Sequence, residues 1–244
     1  MKIGEVNINT YGTKMKIIAA RSNDDIDIQF LDENHYIKEH NTYSNFKSGQ
    51  VKNPYDKSRF NIGYIGVGDV PIKINGKVNV IYSIWGSMLE RCYGFKERKR
   101  HPTYYGKCTV CEEWHCFQTF AKWYIKESYP VNGRLHIDKD ILISENTVYS
   151  PSTCLLMPQR INELFTVRRN KEGMPQCIRT TKTGRYSVSY GGINLGICDT
   201  YEDACEKYKT AKKNKIIEVA IEYKDIIPRK AYDALMNYEV IIQK

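Results

Sequence analysis

The chain has 244 residues, enough for two or three small domains, and its 37 Lys and Arg against 28 Asp and Glu leave a net charge of +9. This basic balance favours a polyanionic partner, most simply nucleic acid. No apolar run reaches membrane-spanning length and the N-terminus lacks the apolar centre of a signal peptide, so we expect no membrane contact and a cytoplasmic location.

Short strands dominate the first segment of the chain. Patches such as MKIIAA and DIDIQFLD are separated by Gly, Asn and Asp residues, including Gly12, Asn23-Asp24 and Asn53-Pro54. This spacing predicts a small β-rich, barrel-like domain over residues 1–72. A structural cap is a slightly better interpretation of this domain than a module that contacts DNA.

Two helices and a basic loop are predicted next. After a linker and short hairpin over Gly63–Lys77, VIYSIWGSMLERCYG has helical spacing, with Trp85 and Leu89 on its apolar face, and EEWHCFQTFAKWYIKES predicts a second helix. Between them lies the strongly basic loop KERKRHPTYYGK, in which Lys99 and Arg100 are candidates for phosphate contact. A solvated run of charges is an equally good interpretation of this loop.

The stretch Leu135–Phe165, called the finger below, carries the strongest functional pattern. Its sequence, LHIDKDILISENTVYSPSTCLLMPQRINELF, predicts a strand, a turn, a second strand and a helix. Its polar residues suit one divalent cation, because carboxylate and amide oxygens bind hard Mg²⁺ or Mn²⁺. They are Asp138 and Asp140 on the first strand, Asn146 at the turn and Asn162 on the helix.

The finger resembles the HNH (ββα-metal) nucleases of phages and mobile introns, in the branch whose finger ends with an Asn on the helix. The resemblance implies that Asp138 and Asn162 ligate the catalytic metal, that Asp140 is a ligand or an orienting group, and that Asn146 braces the hairpin. The implied reaction is metal-assisted hydrolysis of a phosphodiester in double-stranded DNA.

One position departs from that family. A His normally follows the first metal-binding Asp and activates the attacking water, whereas here the residue is Lys139, which is cationic at neutral pH and a poor general base. Lys139 could instead stabilise charge in the transition state, and His136, on the same strand face as Asp138, or the metal itself could activate water. The alternative is a finger that keeps this fold without cleaving DNA.

A second family pattern lies in the C-terminal segment. CIRTTKTGRYSVSYGGINLGICDT predicts three short strands, and TYEDACEKYKTAKKNKI predicts a helix capped near Asp199-Thr200. GRYSVSY, the LG of NLGICDT and TYEDACEKYKTA resemble the plant Apetala-type DNA-binding domain, which lays its sheet in the major groove and packs a helix behind it. The resemblance implies DNA contacts from the exposed sheet face, with Arg179, Lys182, Arg185, Ser187 and Tyr190 as candidates.

Cysteines near the finger suggest a structural metal. KCTVCEEW contains a CxxC pair, and two further thiols could complete a four-thiolate zinc site. Some HNH-type enzymes brace their finger with such a zinc. The competing interpretation is that these are four ordinary buried thiols without a metal. If zinc is bound, His115 and Cys116 are second-choice ligands. The predicted ligands are Cys92, Cys108, Cys111 and Cys154.

These patterns predict an α+β protein with a small β-barrel-like accessory domain over 1–72, an HNH-like ββα-metal domain with flanking helices and a zinc site over 78–168, and an Apetala-like three-stranded sheet plus helix over 174–244. Through DIDIQF and YSNFKSGQVKNP, the first segment also resembles an accessory domain of phage-encoded HNH proteins. A last helix is predicted after Pro228.

The primary hypothesis is a homing-type DNA endonuclease or nickase that uses Mg²⁺ or Mn²⁺ for catalysis and Zn²⁺ for structure, and that acts in a host cytoplasm if a phage encodes it. One alternative is a non-catalytic DNA-binding phage regulator. Another is an inhibitor that binds a host protein. The oligomeric state is left open, a monomer included.

Overall fold

The computed structural model describes residues 2–95, 106–166, 169–171 and 173–242. The chain mixes helices and strands, which confirms the predicted α+β class. It divides into two compact units, Met1–Ile125 and Lys126–Lys244. The domain borders near residues 72 and 168 stay predictions. The predicted phosphate contacts Lys99 and Arg100 lie outside the described residues.

An open antiparallel sheet forms the start of the first unit. Alternation along its third strand places Ile26, Ile28 and Phe30 in the core, where Phe46 of a short helix also packs. The predicted barrel-like closure is wrong, because the two edge strands do not pair with each other in the described part of the chain. In sheet order, the elements are β1 (Val6–Ile8), β2 (Lys14–Ser22), β3 (Asp25–Phe30) and β4 (Ile37–Asn41), followed by α1 (Tyr43–Lys47).

A hairpin and two helices complete the first unit. Both predicted helices are present, although the second begins only at Phe117, after a 3₁₀ turn over Glu112–His115. Trp85 and Leu89 are buried as predicted. The elements are β5 (Lys73–Ile74), β6 (Lys77–Val78), α2 (Val80–Tyr93), β7 (Thr109–Val110) and α3 (Phe117–Glu127).

The predicted linker before this hairpin is packed against the helices. A Cβ atom added at Gly63 would clash with Leu89, and one added at Gly66 would clash with Cys116. The buried Gln118 side chain accepts a hydrogen bond from the Val70 backbone N–H (3.1 Å) and donates one to its carbonyl (2.9 Å). Glycine at these positions therefore allows close approach to neighbouring side chains, and at Gly66 it also accommodates a φ of +76°.

The second unit combines the finger with a sheet and two helices. The predicted C-terminal sheet plus helix is present, and the last helix begins directly after Pro228 but ends at Met236. The finger strands pair antiparallel and a short helix follows the second of them. The elements are β8 (Leu135–Asp138), β9 (Val148–Tyr149), β10 (Leu155–Pro158), α4 (Gln159–Leu164), β11 (Ile178–Thr180), β12 (Tyr186–Tyr190), β13 (Ile193–Cys198), α5 (Tyr201–Glu222) and α6 (Arg229–Met236).

The long helix α5 packs against both the sheet and the finger. Near its start, Ala204 and Tyr208 belong to the core beneath the sheet. Near its end, Ile216 and Val219 belong to a different core, which the finger shares through residues such as Met157. Because one continuous helix contributes to both cores, the finger and the sheet are held in one compact unit.

Candidate functional site

Asp138 is the last residue of β8, at the loop end of the finger hairpin. In the antiparallel register Asp138 is opposite Leu155, and α4 packs against both strands. Its Oδ1 accepts hydrogen bonds from the backbone N–H groups of Asp140 and Ile141, each at 2.8 Å. Burial raises the pKa of the Asp138 carboxyl, and these two hydrogen bonds oppose the rise because they stabilise the charged form. The carboxylate is thus fixed in one orientation.

Lys139 is buried inside the finger loop. Its side chain is 7% exposed, and its ammonium donates to the carbonyl of Asn146 and to Oδ1 of Asp140, each at 2.5 Å. The same ammonium lies 6.0 Å from the centre of the Tyr149 ring. Two acceptors therefore hold the cation within the loop, which favours a structural role for Lys139 over a role at a scissile phosphate.

Asn146 closes the same loop from the other side. Its Nδ2 donates to the carbonyls of Lys139 (3.0 Å) and Val148 (2.7 Å), and its Oδ1 accepts from the Val148 N–H (3.1 Å). Lys139 binds the Asn146 carbonyl in return. The two side chains thus satisfy one another's backbone groups, so that residues 139–148 form a hydrogen-bonded loop.

The two remaining predicted finger residues, His136 and Asn162, lie on a strand and on the helix of the finger, respectively. His136 is half-buried on β8 opposite Met157, two residues before Asp138 and so on the same strand face. Asn162 is half-buried on α4.

Tyr238 packs against the core that the finger shares, and nothing in the local sequence pointed to it. Its ring contacts Phe165 edge-on, with centroids 4.8 Å apart. Burial raises the pKa of Tyr238 to about 12, and the charges of Asp138 and Asp140 add to this rise. Lys213 of α5 donates to the Tyr238 carbonyl at 2.6 Å. Tyr238 follows Asp138 by a hundred residues, so only the packing of the unit brings them together.

The sheet over β11–β13 presents some of its predicted DNA contacts and buries another. Arg179 and Ser187 are register partners, and Ser187 Oγ donates to the Arg179 carbonyl at 3.3 Å. Arg179 and Lys182 are exposed. Arg185 is exposed as well, but it pairs with Asp199 at 2.6 Å, which partly neutralises its charge. Arg179 and the half-buried Ser187 therefore lie on the predicted outer face, whereas Lys182 lies in the turn between β11 and β12.

Tyr190 lies on the helix side of that sheet. Its ring packs edge-on against Tyr208 of α5, with centroids 5.6 Å apart, and burial raises the pKa of Tyr190 to about 12. Its prediction as a contact on the exposed face is wrong. Side chains alternate along a strand, so Tyr190 shares the face of the buried Val188 and not that of Ser187.

The predicted zinc ligands are distributed over the two units. Cys92 and Cys108 are buried and Cys111 is half-buried in the first unit, whereas Cys154 is buried in the second. Burial raises the pKa of the Cys111 thiol. The zinc site stays a prediction, which metal analysis of protein purified without chelator tests. Less than about half an equivalent of zinc would contradict it.

The second-choice zinc ligands have hydrogen-bond partners of their own. The His115 ring nitrogen Nε2 lies 3.1 Å from the Val110 carbonyl, and the Cys116 thiol donates to the Ile65 carbonyl at 3.7 Å. Both residues are therefore engaged in holding the first unit together.

Among the described residues, one group of three acidic or His side chains has ligand atoms within 4.8 Å of one another: Asp25, Asp27 and His40. Arg21 donates to both carboxylates, at 2.7 Å to Asp25 and 2.5 Å to Asp27. The guanidinium holds the pKa of Asp25 well below its usual range and lowers that of Asp27 to about 2. We interpret the group as an exposed ion-pair network, because the guanidinium of Arg21 already pairs with both carboxylates.

Comparisons with protein-family models, curated proteins and solved structures find no match to this chain. Within the described ranges, no helix combines the length and apolar character needed to cross a membrane.

Proposed function

We propose that this chain binds double-stranded DNA and that its finger is a scaffold rather than a cleavage site. The observation that carries the second part is the burial of Lys139, whose ammonium is held by Asn146 and Asp140. The position where the resemblance requires a water-activating His is thus occupied by a cation directed into the loop. A residue held in this way supplies neither a base nor a mobile charge.

Charge and sheet geometry support the DNA-binding part. The net charge is +9, Arg179 is exposed on the outer sheet face, and Lys182 is exposed in the turn that follows β11. Such groups bind phosphates and base edges in a groove. Because α5 packs against both cores, it would hold the outer sheet face in a fixed position relative to the finger.

Mobility shift of a 30-base-pair duplex at two salt concentrations tests DNA binding. We expect affinity that falls steeply with salt, and weaker binding by the double variant Arg179→Gln/Lys182→Gln. A matched double variant in the first unit, Lys38→Gln/Lys52→Gln, makes the same charge change at exposed sites. The absence of salt-dependent binding, combined with a stable complex with a host protein, would replace DNA binding with the inhibitor hypothesis.

A metal-dependent DNA endonuclease is the second candidate, and one feature of Asp138 favours it. Oδ1 is held by two N–H groups, whereas Oδ2 accepts no hydrogen bond from the described residues and is available to a hard cation. Asp138 and Asn162 would hold Mg²⁺ or Mn²⁺, with His136 on the adjacent strand face and Asp140 already engaged by Lys139. Such a metal would polarise a phosphodiester.

Nicking of supercoiled plasmid in Mg²⁺ or Mn²⁺, with EDTA as control, separates the two candidates. Asp138→Asn is the sharper variant, since the amide oxygen can keep both backbone hydrogen bonds while the charge is lost. Binding without nicking by the wild type supports the scaffold. Metal-dependent nicking that Asp138→Asn abolishes would establish the nuclease and overturn the scaffold.

A further inference from the structure

A short hairpin of the first unit is exposed along its whole length. Residues 71–78, which contain β5 and β6, are all exposed. Four aliphatic side chains there and beside it, Ile72, Ile74, Val78 and Val80, are between 40% and 53% exposed. Isolated two-stranded hairpins are marginally stable in water, and grouped exposed apolar side chains commonly mark an interaction surface.

The hairpin is nevertheless fixed at its tip and at its base. Asn75 and Gly76 have φ values of +50° and +75°, as a type I′ turn requires. At the base, the buried Asn79 donates from its backbone N–H to the Ile72 carbonyl (2.9 Å) and from Nδ2 to the Pro71 carbonyl (2.8 Å). Its Oδ1 also caps α2 by accepting from Ile81 N–H (2.9 Å). One side chain thus anchors the hairpin to the start of a helix.

The charge of the hairpin is positive on both faces. Lys73 is opposite Val78 and Ile74 is opposite Lys77 in the register, so one lysine points to each face. The segment from residue 70 to residue 89 contains no Asp or Glu. A partner that meets both faces therefore encounters an ammonium group on each side, beside an aliphatic side chain.

We propose that this hairpin inserts into a groove of duplex DNA, with Lys73 and Lys77 on opposite phosphate strands. The major groove is about 12 Å wide and accommodates a two-stranded ribbon. Its walls are both anionic, which matches a ribbon with one cation per face. The Asn75 amide at the tip would face base edges, and the aliphatic side chains would contact thymine methyl groups. This inference rests on the proposed DNA binding and adds a contact element in the first unit.

The test is fluorescence anisotropy of the full chain with a labelled duplex over a salt series. Lys73→Gln/Lys77→Gln is expected to weaken binding by at least about tenfold and to make the slope of log affinity against log salt shallower by about 2. The control Lys38→Gln/Lys52→Gln carries the same charge change and is expected to bind like the wild type. Thermal melting of both variants should match that of the wild type, because all four lysines are exposed.

A second measurement needs no variant. Bound duplex is expected to protect Lys73 and Lys77, but not Lys38, from reductive methylation read by mass spectrometry. The hairpin proposal would be overturned, while DNA binding stands, if the wild type and both double variants bind with equal affinity and Lys73 and Lys77 are not protected. Equal weakening of binding in both double variants would overturn it as well. A wild type that binds no duplex at low salt would remove both proposals. Loss of self-association in Ile74→Ser/Val78→Ser would assign the hairpin to a second copy of the chain and overturn DNA insertion.

Discussion

Replacing Lys139 by Met separates a structural lysine from a catalytic one. The ammonium makes two charge-assisted hydrogen bonds from a side chain that is 7% exposed. Loss of the bond to the Asn146 carbonyl should cost about 1.5–3 kcal/mol, as for hydrogen bonds that involve a charged group. The bond to Asp140 adds only about 0.5–1 kcal/mol, since about a third of that carboxyl side chain is exposed and screened by water.

The sum predicts that Lys139→Met lowers the free energy of unfolding by about 2–4 kcal/mol. For a chain of this size, that corresponds to a fall in melting temperature of about 4–16 °C. Denaturation followed by circular dichroism measures both quantities. Lys182→Met is the matched control, because Lys182 is exposed in a turn and its replacement should change stability by less than about 0.5 kcal/mol.

The outcome also bears on function. A Lys139→Met variant with the melting temperature of the wild type would refute the structural role. Loss of plasmid nicking in such a stable variant would identify Lys139 as part of a cleavage site. A large loss of stability in a protein that never nicked DNA would support the scaffold.

Two further predictions concern α5. Lys212 is buried, and its ammonium lies 5.9 Å from the centre of the Tyr208 ring. Burial lowers the pKa of Lys212 below the ordinary 10.5, because the charged form is disfavoured there. Lys212→Met should therefore raise the free energy of unfolding by about 1–2 kcal/mol, as measured by urea titration at pH 7. The unfolded chain binds the Lys212 proton more tightly than the folded chain does. The destabilisation by the buried ammonium is therefore complete below the folded-state pKa and disappears as the pH rises toward 10.5. A stability gain of Lys212→Met that stays constant up to pH 10.5 would contradict this reasoning. Thr200 Oγ1 caps α5 by accepting from the Asp203 N–H at 3.1 Å, so Thr200→Ala should lower melting stability by about 1 kcal/mol, whereas Thr200→Ser should retain most of it.

Local sequence patterns were sufficient for several elements. Thr200 with acidic residues in the following turn predicted the start of α5, and the structure confirms that cap. One of the three short strands predicted in the C-terminal segment is present as β12, where side-chain burial alternates around Val188. The same alternation puts Tyr190 on the face of the buried Val188, so the reason why Tyr190 packs against the helix is already contained in the strand pattern. These features depend on neighbours within a few residues, which is why a sequence reveals them.

Only the tertiary structure decided the features that bear most on function. The sequence placed a lysine after Asp138, but the direction of its ammonium depends on Asn146 closing the loop. The approach of Tyr238 to the finger and the sharing of α5 by two cores depend on contacts between residues far apart in the chain. The open edge of the first sheet likewise depends on which strands pair. Residue type and spacing determine local conformation, whereas burial and long-range partners are set when the whole chain packs.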